Sequence, residues 1–486
     1  MSAAVMTGSV RTALLWSFTE RYAGLLINLA STMILARLLT PAQVGVFSLC
    51  ASLTMVAGIL RDFGVSEYLI QERELTDDKM RAAFGVAILI AWTIAALILL
   101  GRGTVAQFYA EPGVARVLGV LSLNFFLLPF ASPAFALLTR EMAFRKIFFV
   151  QIVSNAVQAG TAVAMAWNDY GYMSLAWAPV AGIAVQTVLT TLVRPRASLL
   201  LPGWRDARQV LRYGGMFVAS RVIETFTRNA HEFLIAKQTG FVAVGLFSRA
   251  YGLIELFNSN VTAAVQRVAS PVFASEHRAG VALKAAFARS TAIFTSVAFP
   301  FCGFIALMAG DIIAVLFGPR WMAAAPVARI LAIGLIPFYL VGLAPNLLAA
   351  TGHIKRRLHI SLRYSPVHLV GVFCASFFGL EAVAAVWTLS YGVMMLMYMS
   401  QLRQVLDASV AELFRPSLAS VAAALLSVAG QALTLYACRR AGVPALPTLI
   451  VVTLAGAAAW LAATRQLGHP VYDEIVRLAR HRRAAP

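Results

Sequence analysis

Runs of about 20 mostly apolar residues, the length of helix that crosses a hydrocarbon core about 30 Å thick, recur fourteen times along this chain of 486 residues. They fall at about 13–36, 43–60, 81–100, 114–138, 148–167, 173–193, 213–235, 244–266, 290–308, 326–349, 360–377, 382–402, 417–437 and 446–463. Short polar gaps separate them. The pattern predicts an all-α integral membrane protein of about 14 transmembrane helices.

The polar gaps are not alike. Those holding Arg61 to Arg81, Arg140 to Lys146, Arg194 to Arg212, Arg267 to Arg289, Lys355 to Arg363 and Arg403 with Arg415, together with both terminal segments, carry 28 of the 40 Lys and Arg residues. The alternate gaps carry 8, among them Arg37, Arg102, Arg116 and Lys237. Cytoplasmic loops hold the excess of positive charge, and an even number of spans returns the chain to its starting side. A bacterial inner-membrane protein with both termini cytoplasmic is expected. The remaining four, Arg21, Arg221, Arg228 and Arg249, lie inside spans.

With 60% hydrophobic and 13% charged residues, the chain is too apolar for a soluble globular protein. Its net charge of +19 sits in short loops beside spans, where it serves orientation and contact with anionic lipid. No soluble stretch is long enough for a nucleic-acid reader, so no nucleic-acid partner is expected. Cys50, Cys302, Cys374 and Cys438 are scattered without metal-ligand spacing and read as packing residues. The first span is too long and polar for the apolar region of a cleaved signal. The tail after Arg465, alternating Val471, Ile475, Val476 and Leu478 with arginines, reads as a helix on the lipid surface.

An internal echo divides the chain. Val44-Gly45-Val46-Phe47-Ser48 recurs 200 residues later as Val244-Gly245-Leu246-Phe247-Ser248, and Arg37 aligns with Lys237. The same register places Arg21 opposite Arg221 and Asn28 opposite Arg228. Six spans separate the copies, so both enter the membrane in one direction, as in parallel repeats about an axis along the membrane normal. The expected domains are a six-helix lobe over 1–200, a second over 201–405 related to it by a pseudo-two-fold, two additional spans within 406–464, and a basic cytoplasmic tail over 465–486.

Positions i, i+3, i+7 and i+10 share one face of a helix. Arg221, Glu224, Arg228 and His231 have that spacing in the seventh span, and Arg21, Gly24, Asn28 and Ser31 in the first. A charge near the bilayer centre costs at least about 2.5 to 3.5 kcal/mol. The stripes are therefore expected to line a wet cavity rather than face lipid. Mutual neutralisation is the structural alternative: Arg21 with the adjoining Glu20, Arg221 or Arg228 with Glu224, and Arg249 with Glu255 six residues on. An unneutralised set of arginines suits phosphate or pyrophosphate, because the planar fork of donors matches it bidentately and stays charged at working pH. Arg21, Arg221, Arg228 and Arg249 are the candidate binding residues; Asn28, Glu224, His231 and Glu255 are candidates for cavity lining or ion coupling. No P-loop, metal-ligand cluster, cofactor motif or hydrolase elbow occurs, so neither enzyme nor cofactor is expected.

The run from Ala36 to Phe84 carries Ala-Arg-Leu-Leu-Thr-Pro, then Gly45 with an aromatic two residues on, then Asp62-Phe63-Gly64-Val65 with Gln71 and Leu75-Thr76. It resembles the polysaccharide-transporter branch, the Wzx-like flippases, of the multidrug/oligosaccharidyl-lipid/polysaccharide (MOP) exporter superfamily. That resemblance implies two lobes rocking about a cationic cavity and a cargo of polyprenyl-pyrophosphate-linked oligosaccharide, carried for O-antigen or exopolysaccharide synthesis. It also implies a polysaccharide polymerase and glycosyltransferases as partners in the pathway. The rivals are an ion-coupled antiporter of organic cations from the same superfamily, which wants an acidic cavity, and a membrane-embedded transferase or assembly scaffold, which the short loops disfavour.

Overall fold

The computed structural model describes residues 3–62, 65–72, 74–194, 201–204, 207–280 and 283–483, with side chains throughout except at 3–15, 62, 66–67, 71, 207–221 and 478–483. Among the described residues the chain is helical and holds no strand. The backbone of a membrane span must satisfy its hydrogen bonds within itself, and a helix does so residue by residue.

The helices are α1 (Ala3–Leu38), α2 (Pro41–Asp62), α3 (Val65–Gln71), α4 (Asp77–Tyr109), α5 (Pro112–Arg140), α6 (Phe144–Trp167), α7 (Tyr172–Val193), α8 (Ala207–Gln238) and α9 (Phe241–Phe257). A π turn (Asn258–Thr262) joins α9 to α10 (Ala263–Arg278). Then come α11 (Leu283–Leu316), a 3-10 turn (Pro319–Ala324), α12 (Ala325–Gly334), α13 (Ile336–Val341), α14 (Ala344–Ala350), α15 (Ile354–Ser376), α16 (Leu380–Leu406), α17 (Val410–Phe414), α18 (Ser417–Arg440), α19 (Ala445–Gln466) and α20 (Pro470–Arg483).

Among the described residues, eleven helical stretches are long and apolar enough to cross a membrane. The three remaining expected spans fall on α1, α8 and α15, long helices outside those eleven. They carry Arg21, Arg228 and the run from Lys355 to Arg363. Their polarity separates them from the rest, and the expected count of fourteen depends on them. The stretch expected as one span over 326–349 is broken into α12, α13 and α14. Pro337 and Pro345 open the second and third pieces, each removing an amide donor and clashing with the turn before it. Pro129, Pro133, Pro179 and Pro300 instead lie inside continuous helices.

Contacts divide the chain into two compact units, Met1–Gly245 and Leu246–Pro486. In the first, α4 packs on α5, α5 on α7, α7 on α6 and α6 on α1, while α2 packs on both α5 and α8. The short α3 seats Val65, Tyr68 and Leu69 against Ala83, Val86 and Ala87 of α4 and Ala136 of α5. In the second, α11 is the central helix, covered by α12, α18 and α19. The last two long helices are tied to it through polar atoms. The Ser420 hydroxyl donates to the Ala292 carbonyl at 2.9 Å, and the Trp460 indole donates to the Ser296 carbonyl at 2.7 Å.

The two copies of the internal echo meet. A Cβ on Gly45 would run into the Phe241 carbonyl, and one on Gly245 into the Pro41 carbonyl. In the 200-residue register Pro41 is the counterpart of Phe241 and Gly45 of Gly245, so each glycine receives the first turn of the other copy's helix. Such reciprocity is how a two-fold contact is built, and glycine is required because backbone meets backbone with no room for a methyl group.

At the end of the chain, α20 is clasped by a histidine. His469, 1% exposed, accepts the Val471 amide at Nδ1 (3.1 Å), and its Nε2 lies 3.0 Å from the Ser420 oxygen, whose own proton is used on Ala292. The neutral ring with its proton on Nε2 satisfies every partner. Burial holds the His469 pKa below the ordinary histidine value. An unfolded His469 therefore binds a proton at higher pH than the folded one, and the contribution of the clasp is complete above about pH 6.5 and lost as pH falls below it. A spin label at the exposed Asp473 of α20 is expected to become more mobile as pH drops from about 7.5 to about 5, and to be mobile at both values in His469→Ala.

Candidate functional site

The stripe on α1 divides between two surroundings. Gly24 faces α6, where a Cβ would stand 3.2 Å from Asn155 Nδ2, and Ser31 is buried. Asn28 is exposed, its Oδ1 accepting from Thr32 Oγ1 at 3.3 Å, and Arg21 is half-buried. The helix therefore presents Asn28 on an open face, with its small residues against protein.

On α8 the alternative of internal neutralisation holds for one pair. Arg228 Nη2 stands 3.8 Å from Glu224 Oε1, one turn apart, with the two side chains 53% and 51% exposed. A pair of this openness contributes about 0.3 to 0.5 kcal/mol in water. His231 is buried, at 1% exposure, and does not join the open face of Glu224 and Arg228. The side chain of Arg221 lies outside the described residues. Helix α1 packs on α6, whereas α8 packs on α2 and α4.

In the second unit, the Arg249 guanidinium of α9 lies over two aromatic rings, 5.5 Å from the centroid of Phe317 and 5.3 Å from that of Trp321. Trp321 is fully buried. Such stacking stabilises a cation by about 0.5 to 2 kcal/mol while leaving the edge of the guanidinium, where its donors point, unengaged. Arg249 Nε is buried without an acceptor, and so is Glu255 Oε2 without a donor. Among the described residues no ion pair joins either of them to another side chain. Six residues apart on one helix, the two point to different faces.

The two stripes leave out one enclosed carboxylate. Glu232 of α8 receives the Ser52 hydroxyl of α2 at 2.7 Å, and Asn229 Oδ1 lies 3.4 Å from the same hydroxyl. The signal was present in the spacing, since Glu232 follows Arg228 by four positions, one turn on the same face. Its partner on α2, Ser52, lies 180 residues earlier and carries no such mark.

Several loop cations have structural work. Lys79 pairs with Glu72 at 2.9 Å and holds its carboxyl below the usual range. Arg140 donates to the Leu69 carbonyl at 2.9 Å, and Arg194 pairs with Glu141. Lys284 pairs with Glu412 at 2.8 Å; together with the Ser409 cap of α17 it pulls that carboxyl down to about 2. Arg289 pairs with Glu474 of α20 at 2.8 Å. Among the described residues no group of acidic, histidine or cysteine side chains is placed to hold a metal.

The family described as polysaccharide biosynthesis protein matches residues 34–326. The chain is 22% identical over 333 residues to the teichuronic acid biosynthesis protein TuaB of Bacillus subtilis (strain 168), covering 68% of each. It is 22% identical over 351 residues to the lipopolysaccharide biosynthesis protein WzxC of Escherichia coli (strain K12), covering 70% of this chain and 68% of that one. Its fold is similar to that of a solved structure, the lipid II flippase MurJ in an inward closed conformation, with a TM-score of 0.74 at 10% identity over 95% of this chain and 100% of that one.

Proposed function

Since this chain belongs to the polysaccharide biosynthesis protein family, we propose that it is a flippase. It moves polyprenyl-pyrophosphate-linked oligosaccharide units from the cytoplasmic to the periplasmic leaflet of the bacterial inner membrane, for synthesis of a surface polysaccharide. The family match over more than half of the chain carries this reading; the likeness to the MurJ fold and to TuaB and WzxC supports it.

The two lobes, 1–200 and 201–405, rock about a shared cavity, with both termini in the cytoplasm. Arg21, Arg221, Arg228 and Arg249 hold the pyrophosphate. Arg249 suits that role because its guanidinium is held over Phe317 and Trp321 and its Nε donor has no acceptor of its own. Arg228 gives up part of its charge to Glu224 and stands as an outer contact. Asn28 is a polar position of the same cavity, His231 is packed within the protein behind it, and Glu224 and Glu255 are places for ion coupling. The prenyl chain stays in lipid, and anionic headgroups sit against the basic loops. The polymerase and glycosyltransferases of the pathway act on the same cargo, before and after it crosses.

Deleting the gene is expected to leave lipid-linked oligosaccharide trapped on the cytoplasmic side and to abolish surface polysaccharide, with export restored by the intact gene. Unchanged export in the deletion, sugar transfer by the purified protein, or uptake of cationic dyes in place of cargo would each overturn the reading.

A further inference from the structure

Glu232 lies on α8 with its carboxylate among protein atoms and part of the residue still open to its surroundings. Its immediate neighbours are oxygen acceptors. Ser52 Oγ is 2.7 Å from Glu232 Oε2 and 3.4 Å from Asn229 Oδ1. Asn229 Nδ2 is turned away, donating to the Thr225 carbonyl at 2.8 Å and lying 3.8 Å from Met55 Sδ. Three side-chain oxygens thus meet at a site where the Ser52 hydroxyl supplies one proton.

The charged and titratable groups nearby are committed elsewhere. On α8, Arg228 pairs with Glu224, Lys237 donates to the Phe108 carbonyl at 2.6 Å and His231 is buried. From α2, the Cys50 thiol faces the Val114 carbonyl at 3.7 Å. From the end of α4, the Tyr109 hydroxyl faces the Phe233 carbonyl at 3.4 Å, and α3 brings Tyr68 to its buried cluster with α4. Among the described residues no basic side chain forms an ion pair with Glu232.

Hydrogen-bond accounting then distinguishes the two protonation states. With Glu232 protonated, its O–H donates to Ser52 Oγ and the Ser52 O–H donates to Asn229 Oδ1, so both protons are used and each oxygen has a partner. With Glu232 ionised, the Ser52 proton goes to the carboxylate, and Asn229 Oδ1 loses its donor. An enclosed anion is then held by one hydrogen bond, and an under-satisfied buried charge is costly.

We propose that Glu232 is a proton-carrying coupling residue, whose proton completes a Glu232–Ser52–Asn229 tie between α8 and α2, and whose release to water unties them. The coupling to transport rests on the flippase reading; the proton site itself does not. In that reading α2 belongs to the first lobe and α8 to the second, so a proton that binds the tied arrangement better biases the cycle by that difference in affinity.

The test places spin labels at Leu60 of α2 and Phe226 of α8, both exposed, in full-length protein in lipid nanodiscs with the exposed Cys374 replaced by serine. The interlabel distance is expected to shift between about pH 5 and about pH 9. Glu232→Gln, whose amide donates to Ser52 as the protonated acid does, is expected to show the low-pH distance at both values. Ser52→Ala is expected to show the high-pH distance at both. A pH-independent wild type, a Glu232→Gln variant that still responds, or a shift that follows sodium at fixed pH overturns the proposal. If gene deletion leaves export intact while the distance still follows Glu232, the flippase reading falls and the proton site stands.

Discussion

Replacing Arg249 by methionine is expected to reduce polysaccharide export by at least about tenfold, a loss of some 1.4 kcal/mol or more of binding, while the protein still inserts at normal levels. Methionine is unbranched and its polarisable thioether packs well on aromatic rings, so it fills the space over Phe317 and Trp321 that the guanidinium leaves while removing the charge. Lysine at the same position separates two kinds of recognition. A bidentate grip on pyrophosphate needs the planar fork and is lost with lysine, whereas simple charge attraction survives it. Arg21→Ala and Arg221→Ala are expected to abolish export in the same assay, and Arg228→Ala to weaken it less, because Glu224 already takes part of that charge. Export measured beside membrane abundance decides the matter. Full export by all three of the Arg21, Arg221 and Arg249 variants would remove the cationic site from the mechanism.

Alanine at Gly45 or at Gly245 is expected to destabilise the protein by about 1 to 3 kcal/mol, the range for overpacking a close contact, read as a lowered unfolding temperature in detergent. The added methyl group meets a carbonyl of the other helix's first turn, at Phe241 or at Pro41, and neither can swing aside as a side chain end would. Because both glycines serve one crossing, the double variant is expected to lose less than the sum of the singles. Gly58, on the same helix α2 with nothing within 4 Å of its missing Cβ, is the control. Alanine there is expected to stabilise by about 0.5 to 1 kcal/mol through helix propensity. Equal behaviour at Gly45 and Gly58 would dissolve the crossing.

The helices were readable where one rule acts alone. The expected spans 173–193 and 446–463 correspond to Tyr172–Val193 and Ala445–Gln466, because hydrocarbon rejects polar side chains and a helix is the local way to close the backbone. The ends were less readable: 81–100 became Asp77–Tyr109, since hydrogen bonding continues past the apolar core until a cap stops it. There Thr76 caps the start, and Ala110 in the left-handed conformation closes the end.

Span-forming runs, the bias of charge and the pairing of Gly45 with Gly245 in register are properties of residue order alone. Which charges are answered was decided by tertiary structure. Arg228 found Glu224 one turn away, as spacing allowed, but Arg249 found rings 68 and 72 positions further on, and Glu232 found Ser52 on a helix 180 positions earlier. A linear pattern ranks residues by their cost in lipid. The state of each charge depends on the few groups within hydrogen-bonding or stacking reach, and only the folded chain brings those together.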